Sequence, residues 1–171
     1  MTSQSRFRIF LLIVTLFASF NSASGERKAH YLADISRLDS VFPDREIASL
    51  PNDKPTVILT FKSCCSPNIM AIRWAVNMKE KYRDSLKVIG IAIDSPKTVS
   101  KVRPWLSTIG VKFPCFWDAN HDLIRSMGIK TTPSLFVIDK DGLEVYCSRF
   151  FSQYDINQMN QIIPDLIRSK T

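Results

Sequence analysis

At 171 residues the chain has the length of a single domain, and its composition, 45% hydrophobic and 23% charged with 5 Gly and 9 Pro, excludes a disordered or fibrous protein. The formal net charge of +7 is spread along the chain without a dense basic cluster or interleaved aromatics, which argues against a nucleic-acid partner and for a solvated surface, with attraction to acidic partners or anionic head groups left open. Four cysteines (Cys64, Cys65, Cys115, Cys147) and two histidines (His30, His121) contain no C-x-x-C pair and no zinc spacing, so neither a metal nor a cofactor is expected.

The chain opens with Arg6 and Arg8, an apolar run from Ile9 to Phe20, and small polar residues through Gly25. This is the pattern of a secretory signal peptide cleaved after Ser24. The apolar run is short of the roughly 20 residues that cross a membrane; an uncleaved N-terminal anchor is the alternative, and no stable membrane insertion is expected once residues 1–24 are removed. Loss of Arg6 and Arg8 lowers the net charge from +7 to +5. The mature protein is expected to be secreted or periplasmic, so all four cysteines meet an oxidising compartment.

Residues 25–50 read as an N-terminal extension packed on the domain, with Tyr31, Leu32, Ile35 and Leu38 at helical spacing and Pro43 interrupting. Residues 51–171 read as the domain proper. Thr56 to Phe61 is a buried strand, and Ser66 and Pro67 open a helix over Asn68 to Tyr82. Lys87 to Asp94 is a second strand, apolar almost throughout, as in a parallel sheet covered on both faces. Ser95 and Pro96 start a helix to about Thr108, Phe113 to Trp117 is a short strand, and Ala119 to Met127 is a helix ended by Gly128. Ser134 to Ile138 and Leu143 to Cys147 flank an Asp139 to Gly142 hairpin turn, and Tyr154 to Arg168 closes the chain as a helix. The order predicts an α/β fold with parallel strands first and an antiparallel pair last.

Cys65 lies immediately before the first long helix. Helix N-termini offer free N–H groups and partial positive charge, which favour thiolate over thiol, so Cys65 is the expected nucleophile. Lys62 either adds its charge to that effect or points to solvent. His121 reads as a surface turn residue, not a metal ligand, and Trp105 and Trp117 as core, not substrate platform.

Two segments, Ser63-Cys64-Cys65-Ser66-Pro67-Asn68 and Gly128-Ile129-Lys130-Thr131-Thr132-Pro133 running on to Asp139, together resemble thioredoxin-fold proteins of the TlpA/ResA type. The resemblance covers roughly residues 50–168 and includes the extra helix and strand between about Pro96 and Trp117. It implies a thioredoxin-like fold, a central mixed sheet flanked by helices, with Cys64 at the position of the family's tryptophan, Cys65 as first cysteine and Asn68 in place of the second. It also implies a cis Thr132–Pro133 bond that packs against Cys65 and offers backbone hydrogen bonds to an extended substrate segment. On the family's strand order, four inter-strand steps of about 4.8 Å keep Cys115 and Cys147, on opposite edges, about 19 Å apart and unpaired. Cys115 is then a buried core thiol, and Cys147 either a free thiol or half of an intermolecular disulfide.

The resemblance implies thiol–disulfide exchange with protein thiols and disulfides or with small thiols such as glutathione. Asn68 cannot attack a mixed disulfide, so the leading reading is exchange through the single cysteine Cys65. Cys64 is a second thiol at the site, but a disulfide between neighbours closes a tight ring and is not favoured. The rival reading is a redox-inactive binding module that holds an extended peptide or partner beside Cys65 and Pro133. A thiol peroxidase is the third, although the P-x-x-x-T-x-x-C signature is absent.

Overall fold

The computed structural model describes residues 27–45 and 54–169; the expected signal peptide over residues 1–24 lies outside the described residues. The elements are β1 (Arg27–Lys28), α1 (Leu32–Ile35), β2 (Asp39–Ser40), β3 (Thr56–Phe61), α2 (Ser66–Tyr82), β4 (Lys87–Ala92), α3 (Val102–Ile109), β5 (Cys115–Trp117), α4 (Asp122–Ser126), β6 (Ser134–Ile138), β7 (Leu143–Ser148) and α5 (Gln153–Arg168). Among the described residues they form a sheet in the order β1-β7-β6-β3-β4-β5-β2. Strands β3, β4 and β5 are parallel, while β6, β7 and the outermost strands are antiparallel to their neighbours.

Every residue of β3 is buried because helices cover both faces of the sheet. Val57, Leu59 and Phe61 face α2, α3 and α5, whose Ala71, Ile72, Ala75, Leu106, Met159 and Ile163 fill one core. Ile58, Ile89 and Ile91 face the other way, onto Leu32 and Ile35 of α1 and Leu123 and Ile124 of α4.

The segment read as an extension supplies more than packing. Strand β1 pairs with β7 and β2 with β5, so residues 27–45 cover both sides of the sheet, where unpaired strands would template aggregation. Tyr31 meets Phe136 edge-on at 5.9 Å and donates its hydroxyl to Glu144 Oε2 at 2.8 Å. Neither β5 nor β7 is therefore an outermost strand, although four steps still separate Cys115 from Cys147.

Three helix and strand starts differ from the sequence expectation, each for a local reason. Ser95 accepts N–H bonds from Thr98 and Val99, and its hydroxyl meets that of Thr98. This closes a turn instead of opening a helix, and regular helix begins only at Val102, which keeps Pro104 in the first turn where no N–H is needed. His121 has φ 60° and interrupts the chain before α4. The N-cap residue is His121, whose side chain makes no cap bond, and the buried Asp118 instead accepts the Ile124 N–H at 2.9 Å. Strand β5 starts at Cys115 because Pro114 has no N–H to give the ladder, although its carbonyl still accepts from Gly90.

Helix α5 starts on Ser152, whose N–H and hydroxyl both donate to Asp155 Oδ2, at 2.6 and 2.8 Å. Tyr146 donates to the other carboxylate oxygen at 2.6 Å, joining β7 to the helix. Burial pushes the Asp155 carboxyl up, but the bonds from Tyr146, Ser152 and Ser148 outweigh it and hold its pKa below the ordinary carboxylate value. A carboxyl depressed on folding adds stability above its unfolded pKa and loses it as the pH falls through the folded one. Asp155→Asn is therefore expected to cost about 1–2 kcal/mol at neutral pH. It should also flatten the fall in stability below about pH 4, both read by urea unfolding at several pH values.

Candidate functional site

The loop that leaves β3 carries Lys62, Ser63, Cys64 and Cys65, and Cys65 is the N-cap of α2 with extended backbone, φ −147° and ψ 158°. Pro67 sits in the first turn, and the Asn68 and Ile69 N–H groups both donate to the Cys65 carbonyl. This places the Cys65 side chain, exposed, at the positive end of a 17-residue helix.

Asn68 does more than fill the place of a missing cysteine. It is fully buried, its Nδ2 donates to Cys65 Sγ at 2.9 Å, and its Oδ1 accepts the Lys62 N–H at 3.3 Å. One side chain thus ties the end of β3 to the first turn of α2 and aims a donor at the sulfur. Cys64 Sγ lies 3.4 Å from Cys65 Sγ and donates its S–H to it. Below them the buried Asp94, just beyond β4, accepts the Ser63 N–H at 3.1 Å and the Ser63 hydroxyl, which fixes the loop.

These contacts split the two thiols. Cys65 is drawn below the ordinary thiol value, first by the Cys64 hydrogen bond; burial opposes this, and the Asn68 side chain and N–H and the Lys62 charge add to the lowering. Cys64 is pushed up by burial, by its hydrogen bond to Cys65 and by the negative charges of Cys65 and Asp94, with Lys62 opposing. The arrangement favours thiolate at Cys65, with Cys64 as the thiol that hydrogen-bonds it. Lys62, left open in the sequence, works in the direction of thiolate at both sulfurs.

The second segment lies at the same end of the sheet. Ser134, the first residue of β6, pairs with Thr60 near the end of β3, so the Thr132–Pro133 loop and the cysteine loop leave adjacent strands side by side. The Thr132–Pro133 bond is cis, and the loop is pinned: the Pro133 carbonyl accepts the Phe151 N–H at 2.9 Å, and the Thr131 and Ser134 hydroxyls donate to the Arg149 carbonyl at 2.8 and 3.0 Å.

The remaining residues singled out in the sequence take other roles. Cys115 is fully buried and its thiol is pushed far up by burial. Cys147 is half-buried, packed against the core formed by α1 and α4. Trp105 stacks on Phe61 at 5.8 Å, and Trp117 donates its indole N–H to the Asp94 carbonyl at 2.8 Å; both are part-buried against the core. The His121 ring lies 3.2 Å from the Ile93 carbonyl, and among the described residues no group of three or more His, Cys, Asp or Glu could hold a metal.

Sequence reasoning missed the donor role of Asn68 and the anchor Asp94. Both had a signal: Asn68 follows the N-cap by the three residues that a capping box uses, and Asp94 follows the carboxyl end of a parallel strand, where open α/β sheets gather their sites. In Asn68→Ala the sulfur loses a charge-assisted donor of about 1.5–3 kcal/mol. Cys65 alkylation by iodoacetamide at slightly acid pH is expected to slow about tenfold or more, with the pH profile moved toward alkaline values.

Residues 32–145 match the AhpC/TSA family. The thiol-disulfide oxidoreductase ResA of Bacillus anthracis is 31% identical over 78 residues, which are 46% of this chain and 44% of ResA. The chain thus spans less than half the length of the curated relatives it matches. Among solved structures, a thiol-disulfide isomerase from Corynebacterium glutamicum superposes with a TM-score of 0.64 at 19% identity, covering 78% of this chain and 95% of that one. A secreted Mycobacterium tuberculosis disulfide oxidoreductase homologous to E. coli DsbE gives 0.53 at 15% identity, covering 63% and 80%. These likenesses show the thioredoxin-like fold.

Proposed function

Because the chain belongs to the AhpC/TSA family and is a thioredoxin-like protein of the TlpA/ResA type, we propose that it exchanges thiols and disulfides through Cys65. The observation that carries this is the thiolate's support: an exposed sulfur at a helix start, holding donors from Asn68 Nδ2 and Cys64 Sγ. The Cys65 thiolate attacks a substrate disulfide, forms a mixed disulfide and expels the first substrate thiolate. Asn68 occupies the position from which a C-x-x-C site resolves, so that position contributes polarity and not a second sulfur. Thr132 and Pro133, held by Phe151 and Arg149, form the opposing wall along which an extended substrate segment lies.

The same reading places the protein outside the cytoplasm. It rests on the secretory pattern of residues 1–24, and the mature chain is expected to begin at Gly25. No helix among the described residues is long and apolar enough to cross a membrane.

The test is incubation with glutathione disulfide at slightly acid pH, followed by peptide mass mapping. The expected result is a glutathionyl group on Cys65, formed faster than on an ordinary thiol. An unmodified Cys65 removes the exchange reading, and a sulfenic acid formed far faster with peroxide would move it to peroxide chemistry.

One observation favours the rival reading of a binding module. Phe150 and Tyr154, 65% and 67% exposed, flank the Phe151 that holds the Pro133 carbonyl, an apolar edge suited to a partner's side chains. On that reading Cys65→Ser keeps its affinity for a co-purifying partner, whereas the exchange reading requires that covalent capture be lost.

A further inference from the structure

A mixed disulfide on Cys65 has to be released by some sulfur, and Asn68 is not one. Cys115 is fully buried on β5, and Cys147 packs into the core on the α1 and α4 side of the sheet. The sulfur within reach is Cys64 Sγ, exposed and 3.4 Å from Cys65 Sγ, inside the range of about 3–3.5 Å from which a bond can form. We propose that Cys64 is the resolving thiol, and that a Cys64–Cys65 disulfide between sequence neighbours is the oxidised form of this site. The inference rests on Cys65 being the exchanging nucleophile.

The steps balance without a further oxidant. The Cys65 thiolate attacks a substrate disulfide R–S–S–R′, forms Cys65–S–S–R and expels R′S⁻. Cys64 gives its proton to solvent, its sulfur bonds to Cys65 Sγ, the bond from Cys65 to R breaks, and RS⁻ leaves. The substrate disulfide has gained two electrons and the cysteine pair has lost two. An external dithiol returns them by the reverse chemistry at the pair.

The local charges set the order of these steps. In the reduced site the Cys64 thiol is pushed up by partial burial, by its hydrogen bond to the Cys65 sulfur and by the negative charges of that sulfur and Asp94. Once Cys65 is bonded to substrate its sulfur carries no charge and no longer takes the Cys64 proton. The hydrogen bond and the Cys65 charge vanish together, while burial and Asp94 still oppose, and Lys62 still favours, the Cys64 thiolate. Completion of the first step therefore favours the second nucleophile.

Ring strain is the opposing factor. Neighbouring Cα atoms are about 3.8 Å apart, short of the roughly 4.4–6.8 Å that disulfides prefer. Residues 63–65 lie between β3 and α2, outside both the strand and the helix, so the backbone there can turn without breaking the sheet. A strained disulfide is also readily reduced. The pair therefore suits release of a lingering substrate better than storage of oxidising equivalents.

The test reacts the protein, in a Cys147→Ser background, with a stoichiometric amount of dithiobis(nitrobenzoate), whose released thiolate is coloured. The expected result is two coloured thiolates per chain, no retained aryl group, and a Cys64–Cys65 linked peptide in mass mapping. Cys64→Ser, an exposed and nearly isosteric change, should release one and keep the aryl group on Cys65, with the second release slowed at least about tenfold. If the Cys64 protein retains the aryl group as long as Cys64→Ser does, the inference is overturned while Cys65 stands as the nucleophile. If Cys65 takes no aryl group in either protein, the exchange reading and the inference fail together.

Discussion

In Cys65→Ser, formation of the glutathione adduct at slightly acid pH falls about tenfold or more, because the exchanging nucleophile is gone. Serine keeps the size of the side chain and can accept the bond from Asn68 Nδ2, so the fold and the loop are expected to be unchanged, with the same near-ultraviolet circular dichroism. The reactivity that survives belongs to Cys64, which burial and Asp94 still push up and Lys62 still pulls down. It should appear at more alkaline pH than that of Cys65. The wild type, with Cys65 drawn down by Cys64, Asn68 and Lys62, reacts from lower pH upward. Two profiles, one acid-shifted and lost on substitution, the other alkaline and retained, assign the two sulfurs separately. Cys115→Ser should leave both profiles in place, since its sulfur is buried in the core. A Cys65→Ser protein that reacts like the wild type would remove Cys65 from the chemistry.

Much of this fold is legible in the sequence because its strands are short apolar runs bounded by strong breakers. Thr56 to Phe61 reads correctly because both faces of β3 are covered and every residue is apolar or β-branched. The hairpin reads correctly because Gly142, at φ 84°, ends the turn that Asp139 holds through Oδ1. The starts of α3 and α4 do not, since they depend on which side chain closes the preceding turn: the Ser95 and Thr98 hydroxyls at one, the Asp118 carboxylate at the other. Strands β1 and β2 are two residues each, too short for any periodicity, and exist because β7 and β5 offer them an open side. At the site, the helix-start position of Cys65 is local and could be read. The partnership of Asn68 with both Lys62 and Cys65 needs the turn to have formed, as does the burial of Asp94 beneath Ser63.

The largest stability effect expected from a single methyl is at Gly90, in the middle of β4. A Cβ built there would lie 2.7 Å from Cys115 Sγ and 3.0 Å from the Phe61 ring, with the Phe113 ring at 3.5 Å. All three neighbours are buried, so none can swing into solvent to make room. Parallel pairing fixes the distance, since Gly90 stands opposite Leu59 on one side and Cys115 on the other; β4 cannot move from one neighbour without closing on the next. Gly90→Ala is therefore expected to destabilise the domain by about 1–3 kcal/mol, the usual cost of overpacking, and Gly90→Val by more. Against a typical stability of about 5–15 kcal/mol, the alanine variant should melt several °C lower. The cause can be isolated by adding Cys115→Ala, which removes the nearest atom. The double variant should then be less destabilised than the sum of the single changes by about 1 kcal/mol, a coupling expected of residues in direct contact. Strict additivity would mean that the Phe61 ring or the backbone of β4, and not the Cys115 sulfur, sets the limit at this position.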